Sequence, residues 1–354
     1  MSLSKVTLTL REKLDFLPAV ASILLAAFYA LLTGLWRTER QAKTLFLHLG
    51  YALFRKATTR LNTSQLQYIL PPSHKVYEIH SKKTGGLLDS VDLGNGALGH
   101  WIGDPNADHV IVWFHGGGFS LPANMGYFKF YTQLIRDLRA SGKSVAIFSL
   151  TYTLAPIATY PTQLRQAVSC LAHILATPRS PSTVFLGGDS AGGNLVCGVL
   201  SHLAHPHPEI DPLAVKGNLG GAVLIAPWTL LDTEFPGVHY HGGDIITTAV
   251  AAPWASAYVG SRKRDYYTDL SHAPAEWFSS FPVDSVLITA GGNEIMLPII
   301  EDFAGRFKQG FERVELVIGF RECHVAPVYN LELGDSVKTE QGMAIEKFFA
   351  GLMN

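Results

Sequence analysis

Thr183-Val184-Phe185-Leu186-Gly187-Gly188-Asp189-Ser190-Ala191-Gly192-Gly193-Asn194-Leu195 changes character twice. An apolar, β-branched run gives way to a glycine-rich turn, and the turn to an Ala- and Leu-rich stretch. The reading is buried strand, tight turn, helix. Ser190 sits on the turn within Gly188-x-Ser190-x-Gly192. A serine so placed is held exposed and strained, and the flanking glycines relieve the crowding. The following helix aims its N-terminal dipole and free N–H groups at the serine. A glycine-rich turn that only caps a helix has the same local pattern. The weight of this one comes from its position between a strand and a helix.

Similar apolar runs recur outward from this point, at Val110 to Phe114, Ser144 to Leu150, Gly221 to Ala226, Ser285 to Ala290 and Val314 to Phe320. They do not alternate, as expected of strands covered on both faces. Between them, Tyr127 to Ala140, Gln163 to Ala176 and Ala191 to Leu203 have helical periodicity. Strands alternating with helices predict a doubly wound, mostly parallel sheet. Ligands of such sheets bind beyond the carboxyl ends of the strands, so the chemistry is expected in the loops that follow these runs.

The run Val110 to Phe114 ends in His115-Gly116-Gly117-Gly118-Phe119. Glycines let a backbone turn N–H groups toward a carbonyl oxygen. Gly116, Gly117 and Ala191 are the expected oxyanion donors, with His115 an orienting residue inside the loop. A serine nucleophile also needs a histidine base and a carboxylate to orient it, in the chain order Ser, acid, His. His324 follows the last apolar run and is the expected base. Glu294, in Gly291-Gly292-Asn293-Glu294, is the first carboxylate after the run Ser285 to Ala290 and is the expected acid. Asp302 is the alternative, though it lies two turns into the next helix.

These motifs resemble the hormone-sensitive-lipase-like branch of the α/β-hydrolases: His115-Gly116-Gly117-Gly118-Phe119, Gly188-Asp189-Ser190-Ala191-Gly192-Gly193, and Tyr152-Thr153-Leu154-Ala155-Pro156 with Tyr160-Pro161. The third departs from the branch pattern at Thr153 and Ile157, where Arg and Glu are usual. Within the branch, residues 160–168 and the apolar N-terminus are similar to fungal steryl-acetyl-hydrolase-type, membrane-anchored esterases. The resemblance covers roughly residues 75 to 350. It implies an α/β-hydrolase fold with a helical cap, a triad of Ser190, Glu294 and His324, and a small apolar ester substrate such as a sterol, terpenoid or polyketide ester. An acyltransferase or cyclase on the same scaffold, serving a secondary-metabolite pathway, is the alternative. A binding protein without catalysis is a third reading, which an intact triad disfavours.

The chain has 354 residues, with 28 Lys and Arg against 29 Asp and Glu. That balance supplies no field for nucleic acid. Cys170, Cys197 and Cys323 are too few for a disulfide framework and are expected as small buried hydrophobes. No nucleotide fingerprint or metal motif appears, and no cofactor or metal is expected. The histidines at 202, 205, 207, 239 and 241 lack the spacing of a zinc site. Trp228, Trp254, Tyr258, Tyr266, Tyr267, Trp277 and Phe278 crowd one insertion. They suit either an apolar pocket or plain packing between cap and body, and Asp244 to Val259 reads as its cap helix.

Phe16 to Trp36 carries no charge. At 1.5 Å per residue its 21 residues span roughly 31 Å, the thickness of a hydrocarbon core. A retained transmembrane anchor, a cleaved signal peptide and an amphipathic helix lying over a hydrophobic mouth all fit an apolar stretch here. The length and the exit into Leu35-Trp36-Arg37 favour the anchor. Lys5, Arg11 and Lys13 precede it and Arg37, Arg40 and Lys43 follow it, so charge does not set its orientation. The expected organisation is a tail at 1–15, a transmembrane helix at 16–36, a helical lid or linker at 37–72 and a catalytic domain at 73–354, with a cap insertion at about 228–280. This describes a single-pass membrane protein, with the endoplasmic reticulum as the expected compartment. Asn62-Thr63-Ser64 is a glycosylation sequon.

Overall fold

The apolar runs form strands of one sheet in the computed structural model, which describes residues 6–232, 235–240 and 242–353. Lys5 and His241 lie outside the described residues. The strands are β1 (Ser90–Gly94), β2 (Ala97–Ile102), β3 (His109–Phe114), β4 (Val145–Thr151), β5 (Val184–Asp189), β6 (Gly221–Ile225), β7 (Val286–Gly291) and β8 (Val314–Gly319). Their order is β1-β2-β4-β3-β5-β6-β7-β8. From β4 to β8 neighbours are parallel, and β1 and β2 add an antiparallel edge. The register sets Phe114 beside Gly188 and Gly291 beside Gly319, so the loops carrying the expected site residues leave from one edge.

Every residue of β3 to β7 is buried. Successive strand side chains point to opposite faces, so both faces are covered. The edge hairpin β1–β2 escaped the apolar pattern. Half-exposed β1 alternates and carries Asp92, and only the turn Gly94-Asn95-Gly96 marks it.

The helices are α1 (Leu10–Leu14), α2 (Phe16–Thr33), α3 (Leu45–Arg60), α4 (Thr63–Ile69), α5 (Ser73–Thr84), α6 (Met125–Ala140), α7 (Thr162–Leu175), α8 (Ala191–Ala204), α9 (Thr248–Val259), α10 (Leu297–Gly310), α11 (Ala326–Leu333) and α12 (Glu340–Leu352). α6 packs against α5, α11 and α12, and α7 against α8. Leu10–Trp36 is long and apolar enough to cross a membrane.

The segment 37–70 is less helical than expected. Residues 37–44 are turns, and α3 begins only where Thr44 accepts the Leu47 N–H at 3.2 Å. The expected helix Asp244 to Val259 starts at Thr248, because Asp244 is engaged elsewhere. α5 was not foreseen. It begins at Ser73, directly after Pro71-Pro72.

Asn62 caps α4. Its Oδ1 accepts the Gln65 N–H at 2.8 Å, and the Gln65 side chain accepts the Asn62 N–H at 3.0 Å. The Asn62 Nδ2, where a glycan would attach, donates to Glu12 Oε1 at 3.4 Å. Replacing Asn62 by alanine is expected to lower stability by about 1 kcal/mol, measured by denaturant unfolding of the full chain. An unchanged midpoint would show that the neighbouring contacts already hold the turn.

Candidate active site

Ser190 joins β5 to α8 with φ 50° and ψ −117°. A non-glycine residue held there costs on the order of 1–3 kcal/mol, which the surroundings must offset. The Ser190 N–H donates to Ile225 O at 2.8 Å, and Ser190 O accepts the Trp228 N–H at 3.0 Å. The two bonds pin the turn to the last residue of β6 and to the segment after it. The flanking glycines are required by close approach. A Cβ on Gly192 would lie 2.0 Å from Phe114 O, and one on Gly188 would lie 2.4 Å from Gly192 O.

The glycine loop after β3 is fixed from several sides. The His115 ring stacks on Tyr152 at 4.3 Å and its Nδ1–H donates to Gly116 O at 2.9 Å. Burial lowers its pKa to about 4, so the ring is neutral, and its stacking and hydrogen bond brace the loop. Tyr152 donates its hydroxyl to His115 O and Gly116 O at 3.0 and 3.1 Å.

Gly116 departs from its expected role. Its N–H donates to Tyr127 Oη at 3.0 Å and to Asp189 Oδ1 at 3.2 Å. It points into the body and is not free to meet an oxyanion. Among the described residues, the N–H groups of Gly117, Gly118 and Ala191 make no hydrogen bond, and Gly117 and Gly118 line the same cavity as Ser190. Asp189 is the reason for the difference. It is fully buried, accepts the Tyr127 hydroxyl at 2.6 Å, and burial raises its pKa to about 7. The motif shows an acid beside Ser190 but not that it would capture the first glycine, because Tyr127 comes from α6.

Glu294 and His324 meet from the loops after β7 and β8. His324 Nδ1–H donates to Glu294 Oε1 at 3.2 Å, and Glu294 Oε2 accepts the Gly291 N–H at 2.6 Å. Both residues are buried. Burial alone would lower the pKa of His324. The hydrogen bond to Glu294 and the charges of Glu294, Asp244 and Asp189 outweigh it and hold the pKa above 6.5. Glu294 precedes α10 and does not start it. The alternative, Asp302, lies exposed on α10 opposite Arg306.

Asp244 was not recognised as part of this arrangement. It is fully buried, and its carboxylate accepts three backbone N–H groups: His324 at 2.9 Å, Ile295 at 2.8 Å and Ile245 at 2.7 Å. One cap residue therefore ties together the loops that carry both members of the His–Glu pair. Burial raises its pKa to about 6, with His324 acting the other way. The signal available in sequence was a lone acid set between Gly242-Gly243 and Ile245-Ile246. A charge without charged neighbours in an apolar stretch is buried only with dedicated partners.

Asn at 244 must turn an amide N–H₂ toward one of those three donors. Asp244→Asn is expected to lower kcat on the order of tenfold to a hundredfold through displaced loops. The kinetics would be measured beside the melting temperature. Full activity with a lowered melting temperature would restrict Asp244 to stability.

One apolar cavity opens at Ser190 and His324. The cap contributes Trp254, the 228 turn Trp228, and the N-terminal arm Phe54, Leu66, Ile69 and Leu70. Asp232 and Glu332 are the carboxylates at its wall besides the site itself. Of the seven aromatics read as either pocket lining or packing between cap and body, Trp228 and Trp254 line the cavity and the other five pack. Tyr258 stacks on Phe119 at 3.6 Å, Tyr266, Tyr267 and Trp277 pack together, and Phe278 joins Phe303 and Phe307. His202, His205 and His207 have structural partners at Asp211 O, Trp277 O and Tyr160 Oη. Among the described residues, no group of three or more His, Cys, Asp or Glu is placed to hold a metal ion. The three cysteines are buried and free.

Residues 111–327 match the model of a family described as alpha/beta hydrolase fold. Steryl acetyl hydrolase 1 of Saccharomyces cerevisiae is 31% identical over 125 residues, covering 35% of this chain and 28% of the yeast protein. Hormone-sensitive lipase of Homo sapiens is 27% identical over 202 residues, covering 54% of this chain and 18% of the human protein. The matched stretch is thus less than a third of either relative's length. The crystal structure of an esterase from the bacterial hormone-sensitive lipase family superposes with a TM-score of 0.64 at 21% identity, over 89% of this chain and 100% of that one. The family model matches more than half of this chain, which therefore belongs to the alpha/beta hydrolase fold family.

Proposed function

We propose that the protein hydrolyses a carboxylic ester of a small apolar alcohol through an acyl-enzyme on Ser190. The observation that carries this reading is the buried Glu294–His324 pair opening onto the cavity where Ser190 stands strained on its turn. His324 Nε2 takes the Ser190 proton as Oγ attacks the ester carbonyl. Glu294 holds the ring with Nδ1 protonated and stabilises the imidazolium. The carbonyl oxygen, now an oxyanion, accepts from the N–H groups of Gly117, Gly118 and Ala191. Each such donor is worth on the order of 2.7–4 kcal/mol of barrier. The imidazolium gives its proton to the leaving alkoxide, and the alcohol departs. Water, deprotonated by the same ring, then attacks the acyl-Ser190 carbonyl; the imidazolium returns that proton to Ser190 Oγ as its bond to the acyl carbon breaks, and the acid departs.

The apolar wall supports an apolar alcohol such as a sterol, terpenoid or polyketide. The name of the yeast relative supports acetate as the acyl group. Membrane association through the apolar N-terminal helix fits such a substrate. The test is covalent labelling by a fluorophosphonate, with the adduct mapped by peptide mass, beside rates on p-nitrophenyl acetate, butyrate and decanoate. Labelling at Ser190 and a preference for acetate are expected. Turnover with no adduct at Ser190 would reject the acyl-enzyme.

A further inference from the structure

The apolar helix is tied to the catalytic body at both ends. At its start, Arg60 holds Asp15 through two bonds of 2.8 and 2.6 Å, Gln65 donates to Glu12 O at 3.0 Å, and Phe16 meets Tyr68 ring to ring. Just past its end, Arg321 donates to the carbonyls of Thr38, Gln41 and Ala42, and Asn293 donates to those of Glu39 and Gln41. Both of these donors belong to the loops that carry His324 and Glu294. Between the two ties, α2 runs back along α3. Ala19 and Ala30 are buried, and a Cβ on Gly34 would lie 2.5 Å from Leu45. The opposite side of α3 is bound to the body, with Tyr51 donating to Asn330 Oδ1 at 2.6 Å.

A helix that spans a bilayer has its ends at opposite interfaces. The 18 residues of α2 measure about 27 Å, so a spanning arrangement would separate two ends that both grip one folded body. It would also carry α3, with Arg55, Lys56 and Arg60, into hydrocarbon, where charged side chains are costly. The outward face of α2 is nonetheless unsuited to water. Leu17, Leu24, Phe28 and Leu31 are 45–75% exposed, as is Leu35 in the turn that follows. Trp36 stands 77% exposed at one end, and Arg11 and Lys13 flank the other.

We infer that α2 lies in the plane of the membrane as a one-sided anchor. Its inner seam is packed on α3 and its outer face is sunk among the acyl chains of one leaflet. An apolar face with interfacial tryptophan and flanking cations has the physical make-up for this. The placement also serves the cavity. Ile69 is half-exposed and lines it, and the adjacent Tyr68 touches Phe16 at the start of α2. The mouth therefore opens beside the anchored helix, where an apolar molecule dissolved in the leaflet can enter without crossing water. That the molecule is an ester rests on the function proposed above, whereas the placement of the helix does not.

The test uses the full chain in sealed membranes from cells that express it. Single cysteines are introduced as Lys13→Cys and Arg40→Cys, one at each end of the helix, over a background whose native cysteines are buried. A membrane-impermeant maleimide is expected to treat the two alike, either labelling both or sparing both until detergent is added. Labelling of one with protection of the other would establish a span and overturn the inference. Recovery of the chain in the soluble fraction would overturn it as well. An environment-sensitive fluorophore at Leu17, Leu24 and Leu31 in turn is expected to report one common depth. A maximum at Leu24 would again establish a span. Hydrolysis of p-nitrophenyl acetate is followed in the same membranes with Ser190→Ala as control. That variant should lose hydrolysis and keep the labelling pattern, so the two readings fail separately.

Discussion

Alanine at position 190 is expected to lower kcat on a soluble short-chain ester by on the order of 10⁶, and His324→Ala by a similar factor. The two changes made together should cost little more than either alone. Without a hydroxyl there is no proton for His324 to take, and without the ring there is nothing to take it. The donors at Gly117, Gly118 and Ala191 survive both substitutions, so a residual acceleration on the order of 10³–10⁴ over water should remain. Ser190→Ala should also relieve nothing in the backbone, because alanine at φ 50° is strained in the same way as serine. Its melting temperature should therefore stay near that of the parent. Steady-state kinetics on all three variants, freed of parent enzyme by fluorophosphonate pretreatment, decide the matter. Losses that multiply in the double variant would mean that residues 190 and 324 do not act as one unit.

The parts of this arrangement that sequence discloses share one physical property: each is local. β5 and its glycine turn show Ser190 because a buried parallel strand is a continuous apolar run and an abrupt turn demands small residues within a few positions. His324 and Glu294 follow from their places after β8 and β7. The misread parts depend on partners far along the chain. Whether the Gly116 N–H faces the cavity or the interior is decided by Asp189 and Tyr127, which reach it from β5 and α6. Two of the three hydrogen bonds accepted by Asp244 come from residues 51 and 80 positions away, and nothing adjacent to it reveals them. The hairpin β1–β2 was missed for a related reason. An edge strand half in water lacks the apolar run that marks its neighbours. The helix α2 lies between these cases. Its apolarity is plain from composition, but its attitude to a membrane depends on the ties from Arg60, Arg321 and Asn293.

Glu294→Gln is expected to lower the plateau of kcat/KM by on the order of 10⁴ and to move its acid limb. The two carboxylate oxygens face two donors, His324 Nδ1–H and Gly291 N–H. An amide has one oxygen, so its N–H₂ must confront one of them. If it faces Gly291, two buried donors oppose each other at a cost of roughly 1–3 kcal/mol. If it faces His324, the ring must give up the Nδ1 proton and carry it on Nε2, where it cannot accept from Ser190. The pH dependence adds a second readout of known sign. His324 acts only when neutral. Its pKa is held above 6.5 by the Glu294 bond and by nearby negative charges, against a burial effect of opposite sign. Activity of the parent should therefore fall as pH drops through a midpoint above 6.5. Removing the charge of Glu294 leaves burial less opposed, so the midpoint should move to lower pH even as the plateau collapses. The profile of kcat/KM on an uncharged ester reports this pKa in the free enzyme. A variant that keeps both its plateau and its midpoint would transfer the orienting role to Asp244, which accepts the His324 backbone N–H and whose charge also acts on the ring.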